Sequence, residues 1–371
     1  MSLSVSLITV IVCSSCVSNN SEVSSSVLLD KSITADLSEL GANIDIIPID
    51  SVSSIIDATY AKIYDDRLFI YSATYRNILY STQSGYHLFD RLGRGPSEYI
   101  DIGAFTYMPD TDELVIFERS KRRLLFYLLS DNSQTRQLNT NWYINAMEYC
   151  GNNTLLCVKE ASAHEPAAII MLNMVDSSQE VLVPLREDQA DLMEDFVLTR
   201  AVDNGVIFGV SGETMNFYSY DGVIAQTSAI GFRPSSLGKR YWQGQWNEQK
   251  EMMLVKALSR GDPVPLCPSH ISSKDGNMVF WFITEQGKNA RKLPKRKCCI
   301  LKNREASVYS AITCNDLRID NLQPIASNDN KYYTLLCADE ISPDVSSAIG
   351  KLAASYIDDG YINLILTYEI L

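Results

Sequence analysis

The sequence predicts an all-β chain folded as a six-bladed β-propeller of four-stranded antiparallel blades. Three observations carry this expectation: a repeated turn-and-strand unit, a second apolar series that follows it at the same period, and a last blade that ends one strand short. A turn residue followed two positions later by an apolar run recurs six times. The copies are Asp66-Arg67-Leu68-Phe69-Ile70, Asp112-Glu113-Leu114-Val115-Ile116, Asn153-Thr154-Leu155-Leu156-Cys157, Asn204-Gly205-Val206-Ile207-Phe208, Gly276-Asn277-Met278-Val279-Phe280 and Asn330-Lys331-Tyr332-Tyr333-Thr334. Their third positions advance by 46, 41, 51, 72 and 54 residues. Each copy reads as an Asp, Asn or Gly hairpin turn feeding a buried strand. The second series, Leu79-Tyr80, Phe126-Tyr127, Met171-Leu172, Phe217-Tyr218, Ile300-Leu301 and Leu366-Thr367, marks a third strand, and its first four copies lie 47, 45 and 46 residues apart. Four strands fit into about 46 residues, the size of a propeller blade.

The longer steps have visible causes. A stretch at about 233–265 is inserted before the second strand of blade five, and 342–359 is inserted in blade six. In the latter, Ser342 as cap, Pro343 at the first helical position and Val345, Ile349, Leu352 and Tyr356 at helical spacing predict one short helix whose stripe faces the core. Blade six is expected to place its first strand near 322–326, its second at 331–337 and its third at 363–370, where the chain ends. Ile44-Asp45-Ile46-Ile47-Pro48-Ile49 is then the outer strand that completes this blade and closes the ring, with Pro48 suited to an edge position.

Composition narrows the function. Hydrophobic residues make 46% and charged residues 21%, which excludes general disorder. Acidic residues outnumber basic ones, 45 to 32, for a net charge of −13, which argues against phosphate neutralisation and so against nucleic acid as partner. No apolar run reaches the roughly 18 residues of a membrane span. At the start, the apolar stretch 3–12 precedes Cys13-Ser14-Ser15-Cys16 and then Ser18-Asn19-Asn20-Ser21. This predicts a lipoprotein signal peptide over 1–15, acylation of Cys16 and a flexible tether over 16–42, leaving 43–371 for the propeller. No Lys or Arg precedes the apolar stretch, so either the true start lies upstream or the signal is weak. The expected place is the cell envelope, periplasmic or on the outer membrane, held there by lipid alone.

Arg91-Leu92-Gly93-Arg94-Gly95-Pro96-Ser97-Glu98-Tyr99, after the last strand of blade one, resembles the G-x-GPxEY signature of the six-bladed β-propeller lipoproteins of Bacteroidota, an NHL-like architecture. The likeness extends from about residue 44 to the end, with Glu118 standing where that family usually has an aspartate. It implies the fold and the lipid anchor and says almost nothing about the ligand. Gly93 and Gly95 allow positive φ and Pro96 fixes the next turn, so the chain can cross tightly between blades. Glu98 would then accept backbone amides and Tyr99 pack between blades. The other reading turns Arg94 and Glu98 into the central funnel, against ligand.

Short turns between first and second strands predict one plain face; longer loops collect on the opposite one, where binding residues concentrate. That face would gather Tyr75-Arg76, Arg119-Ser120-Lys121-Arg122, the 93–99 turn, 160–166, 286–297 and the insertion. Within the insertion, Tyr241, Trp242 and Trp246 beside Lys239 and Arg240 suit stacking on a sugar ring, or pin the insertion to the blades. Lys288, Arg291, Lys292, Lys295, Arg296 and Lys297 form a basic run that suits an acidic glycan or partner, or a solvated hairpin tip. No constellation for catalysis stands out. His87, His164 and His270 are the only histidines, no CxxC pair or Gly-x-Ser-x-Gly elbow occurs, and neither a metal nor another cofactor is expected. The expected function is non-catalytic binding of a glycan, peptide or envelope protein through the loop-rich face, by a monomer. The alternative is a hydrolase or lyase using funnel carboxylates or a bound divalent cation, with His164 placed to serve as a general acid and loss of turnover on changing His164 or Glu98 as its sign.

Overall fold

The computed structural model describes residues 25–29, 33–49, 58–201, 205–233, 237–260, 262, 264–284, 296–314, 317, 321–328, 330–337, 340–341 and 347–370. Six sheets of four strands radiate from one axis. Blade one is Tyr60–Tyr64, Arg67–Ser72, Asn77–Thr82 and Gly85–Phe89. Blade two is Ala104–Met108, Glu113–Glu118, Arg123–Leu128 and Ser133–Asn139, and blade three is Ile144–Tyr149, Thr154–Lys159, Ala168–Asn173 and Gln179–Pro184. Blade four is Thr199–Arg200, Val206–Val210, Thr214–Tyr220 and Ile224–Arg233, and blade five is Leu266–Lys274, Asn277–Ile283, Arg296–Lys302 and Glu305–Tyr309. Both apolar series therefore fall in the second and third strands of every blade.

Burial explains why those strands read as continuous apolar runs. Ala104–Met108 and Glu113–Glu118 are buried at every position, because neighbouring blades cover both faces of the sheet. The outer strand Ser133–Asn139 alternates between exposed and half-buried. Aromatic rings fill the seams: Phe69 packs on Tyr107 between blades one and two, Phe217 on Phe280 between four and five, and Trp281 on Tyr332 between five and six. Asp65, Asp112, Asn153 and Asp275 adopt positive φ in the first turns, a conformation Asn and Asp tolerate better than most residues.

Blade six is Ala326–Asn328, Lys331–Cys337, Asn363–Glu369 and, as its fourth strand, Asn43–Ile49. The last two pair antiparallel, from Asn43 opposite Glu369 to Ile49 opposite Asn363, with Pro48 on the outer edge opposite Leu364. The first strand starts later than the 322–326 expected. Pro324 has no N–H to give a ladder, and the strand begins only beyond it. Ile325 instead bridges blades, its N–H donating to Tyr333 and its carbonyl accepting from Ala61. The late helix is Ala348–Asp358, and its cap is Ser347, whose Oγ accepts from the Gly350 N–H at 2.9 Å. Ser342, Pro343 and Val345 lie outside the described residues. Ile349, Ala353 and Tyr356 form the inner stripe, whereas Leu352 turns to solvent. The insertion carries two helices, Lys239–Trp242 and Glu248–Arg260, which the sequence reading does not assign.

Candidate functional site

The inner strands set the chemistry of the axis. Alternate residues of Tyr60–Tyr64 point inward, which brings Tyr60, Lys62 and Tyr64 to the channel. Lys62 is almost fully buried. Its Nζ donates to the Met147 carbonyl at 2.6 Å, to Glu148 Oε2 at 3.0 Å and to Asp195 Oδ1 at 2.8 Å. Burial works against its charge, and the Asp195 and Glu148 carboxylates more than offset it, so the ammonium is held above its ordinary pKa. Lys62 is therefore a fixed cation and not a nucleophile.

Asp195 is the junction of this network. It opens the short 3-10 turn Asp195–Val197 in the connector from blade three to blade four. Its Oδ2 accepts from Tyr60 Oη and from the Phe105 N–H, both at 2.8 Å; Oδ1 accepts from Lys62 and from the Met147 N–H at 3.1 Å. One carboxylate thus satisfies groups from blades one, two and three. Burial and the Asp195 charge push the Tyr60 phenol well above its usual range, so it stays a donor. On the far side, Glu148 Oε1 lies 3.8 Å from Arg200, whose guanidinium covers the Tyr64 ring. Together with His270 and Ser327 these groups leave a cavity of about 20 Å³ at the axis, room for one water. The channel is plugged by ion pairs.

Above the plug, on the loop-rich face, a funnel of about 400 Å³ opens. Tyr60, Tyr71 and Gly103 form one wall; Arg119, Asn145 and Glu160 form the next; Asp191, Glu194 and Asp195 close it from the connector. Arg119 is already committed, pairing with Glu160 and donating to Asn145 Oδ1 at 2.8 Å. A Cβ on Gly103 would lie 3.1 Å from the Phe117 ring and 3.2 Å from the Arg119 Cβ, a tight approach that glycine relieves. Burial first, then the charges of Glu160, Glu187 and Asp188, raise the Asp191 carboxyl; burial raises Glu194 against the pull of Arg296. A second polar cleft, about 520 Å³, opens on the opposite face beside Asp65, Asp66, Arg67 and Tyr107. Arg67 is spent there on Asp112 and on Tyr107 Oη, so the funnel on the axis is the stronger candidate.

The residues singled out in the sequence are dispersed. Glu98 Oε2 accepts from the Gly95 N–H at 2.6 Å within its own turn. Tyr99 is fully buried, stacks on Phe89 and donates to the Arg76 carbonyl. Arg94 is exposed. Glu118, the departure from the family pattern, is also fully buried: it pairs with Arg123, accepts from the Ile100 N–H, and through Arg123 holds the Glu98 carbonyl. Tyr241, Trp242 and Trp246 do come together, but around Arg186, whose guanidinium sits 4.8, 5.4 and 5.6 Å from the three rings. Arg291 and Cys16 lie outside the described residues, as do Lys288, Lys292 and Lys295. Of the basic run, Arg296 turns inward onto the Phe196 ring and lies 3.2 Å from His270 Nε2. Among the described residues no three of His, Cys, Asp and Glu converge as metal ligands. Lys62, Asn145, Asp191, Glu194 and Asp195 carry the site without having been singled out, because their partners are distant in sequence.

His87 is exposed on an outer strand beside Thr82 and Ser84, and His164 is exposed on a loop. His270 differs. It is buried against Phe196, and burial together with the Arg296 charge lowers its pKa well below 6.5. The folded imidazole therefore stays neutral while the unfolded one protonates near its ordinary value. Above that value the group contributes nothing to pH dependence; below it, unfolding gains a proton and stability falls by up to about 1.4 kcal/mol per pH unit. Asp191 and Glu194, raised in the fold, act in the opposite direction, so the comparison must be between variants. His270→Gln is expected to lose less stability than the parent chain on going from about pH 7.5 to about pH 5, read from urea midpoints. Equal losses in both would place the acid sensitivity elsewhere.

No protein-family model matches the chain, and none of the curated proteins does. Solved structures do. A protein of Bacteroides fragilis described as exported superposes with a TM-score of 0.65 at 11% identity, over 91% of this chain and 99% of that one. A member of the DUF4221 family from Bacteroides vulgatus superposes with a TM-score of 0.51 at 10% identity, over 88% and 96%. At such identities the likeness is one of fold: the chain shares its whole architecture with these Bacteroides proteins.

Proposed function

We propose that the chain is an exported, lipid-anchored propeller that binds a glycan, a peptide or a partner protein through the funnel of its loop-rich face, without catalysis. The observation that carries this reading is the funnel itself: about 400 Å³, closed below by the Lys62–Asp195 plug, with an aromatic wall at Tyr71 facing carboxylates and an amide. A concave site with one aromatic wall and a few polar groups suits a small polar ligand or the tip of a larger one. Arg119 is neutralised by Glu160, so the lining is net acidic and selects hydroxyl or ammonium groups over anions. The exported relative of the same fold supports the envelope as the place of action. Arg94 remains a proposed contact on the same face, while Glu98, Tyr99, Tyr241, Trp242 and Trp246 are not among the residues that line the funnel.

The test is a glycan and peptide array screen with the chain beginning after Cys16. Asp191→Asn or Glu160→Gln should weaken any saturable ligand by roughly tenfold to a hundredfold, the cost of a charge-assisted hydrogen bond. Binding indifferent to both substitutions would move the site off the funnel. The second reading, a hydrolase or lyase, is favoured by one observation: Asp191 and Glu194 both hold their protons more tightly than ordinary carboxyls. On that reading, Asp191→Asn and Glu194→Gln abolish turnover of a bound ligand; a ligand recovered unchanged from the parent chain excludes it.

A further inference from the structure

The segment that completes blade six does more than close the ring. Before Asn43, two described stretches, 25–29 and 33–37, lie along the outside of blades four and five. Ser25–Leu28 adds a fifth strand, parallel, to the outer strand of blade four, from Ser25 opposite Ile230 to Leu28 opposite Arg233. Leu29 follows, buried in the apolar cluster with Phe217, Phe232 and Phe282. Its N–H donates to the Arg233 carbonyl at 2.8 Å and its own carbonyl accepts from Lys297 Nζ of blade five at 3.2 Å. Further on, the Ile33 carbonyl accepts from the Ser310 N–H, and Thr34–Asp36 pairs in parallel with Ala311–Thr313 just after the last strand of blade five. Leu37 is fully buried in the cluster that holds Ile312, Leu322 and Leu336, which joins blades five and six.

We propose that residues 25–29 and 33–49 act as a belt that locks the propeller from outside, and that this belt must peel before the ring can open. Its backbone caps the outer edge of blade four, which would otherwise present unpaired amides. Its two leucines are anchors set into the seams between blades four and five and between five and six. Among the described residues no strand pairs with the outer edges of blades one, two and three, so the described lock lies on the half of the ring next to its closure. In a chain held by its N-terminus, the belt is also the first element to bear load. Pulling would release Ser25–Leu28 before any strand of the ring.

Hydrogen exchange on the full chain tests the lock. A Leu29→Asp, Leu37→Asp double variant places a charge in each anchor pocket. Amides of Arg296–Lys302 and Asn363–Glu369 should then exchange roughly tenfold faster or more, while Glu113–Glu118 of blade two keeps its parent rate. Faster exchange confined to residues 25–42, with blades five and six unchanged, would overturn the proposal: the segment would then be a passive covering. Should the aspartates prevent folding, the Leu29→Ala, Leu37→Ala pair, which keeps the backbone pairing, is read the same way.

Discussion

Replacing Lys62 with methionine is expected to cost about 3–5 kcal/mol of stability, the largest loss from any single side chain on the axis. Methionine fills nearly the same volume, so the effect isolates charge from packing. What remains is a buried Glu148 and Asp195 without their shared cation, and a Met147 carbonyl without its donor. Arg200, 3.8 Å from Glu148, is then the nearest remaining cation, and the network must rearrange around it. The measurement is a urea titration of parent and variant, followed by fluorescence and far-UV circular dichroism. Adding Glu148→Gln should restore part of the loss, because the second change removes a charge that the first has orphaned; the coupling in that cycle should reach about 1–3 kcal/mol. A loss below about 1 kcal/mol would mean that water enters the channel and solvates the carboxylates, and the plug would not be a plug.

The same residues show why the architecture was legible in the sequence and the site was not. A blade is written locally: a turn residue, an apolar run and a second run one hairpin later, all within a few tens of residues. The turn-and-strand pattern survives the insertion, though the spacing does not, because each blade buries its second and third strands in the same way. Asp195 is written nowhere locally. It meets Tyr60, Lys62, Phe105 and Met147 at separations of 135, 133, 90 and 48 residues, and the connector bearing it has no strand pattern. Within the basic run, counting charges cannot tell that Arg296 turns inward to Phe196 and His270 while Lys297 reaches across to Leu29. The inner strand of blade five is interrupted at Cys267 and His270, both at positive φ, and pairs irregularly with its neighbour, which no repeat copy in the sequence announces. In the GPSEY turn neither Gly93 nor Gly95 adopts the positive φ expected of it; a Cβ on either would meet the Glu98 carboxyl, and the hold on the blades comes from Glu118 and Arg123, two residues that the motif does not contain.

Arg186→Ala should cost about 3–5 kcal/mol by the same logic of an orphaned buried charge, and it should also loosen the insertion. The guanidinium makes a two-pronged pair with Asp188, donates to the Tyr241 carbonyl at 2.6 Å and lies against three aromatic rings. Asp188 is nearly fully buried and would keep only the Tyr241 hydroxyl, at 3.0 Å. Trp242 and Trp246 would then gain water, so acrylamide should quench the variant's fluorescence more strongly. Trp142 and Trp281, buried elsewhere, should supply an unchanged background. Arg186→Lys should recover little, because an ammonium has no planar face for the rings and no fork for the carboxylate. The consequence reaches the funnel through the chain itself: Arg186, held by Asp188 of the short helix Glu187–Asp191, stands immediately before that helix, and the connector continues to Glu194 and Asp195. If ligand binds where the funnel predicts, Arg186→Ala weakens it without removing any contact. If the tryptophans were instead a sugar platform, Trp242→Ala would abolish binding at unchanged stability. The two outcomes separate a wall from a site.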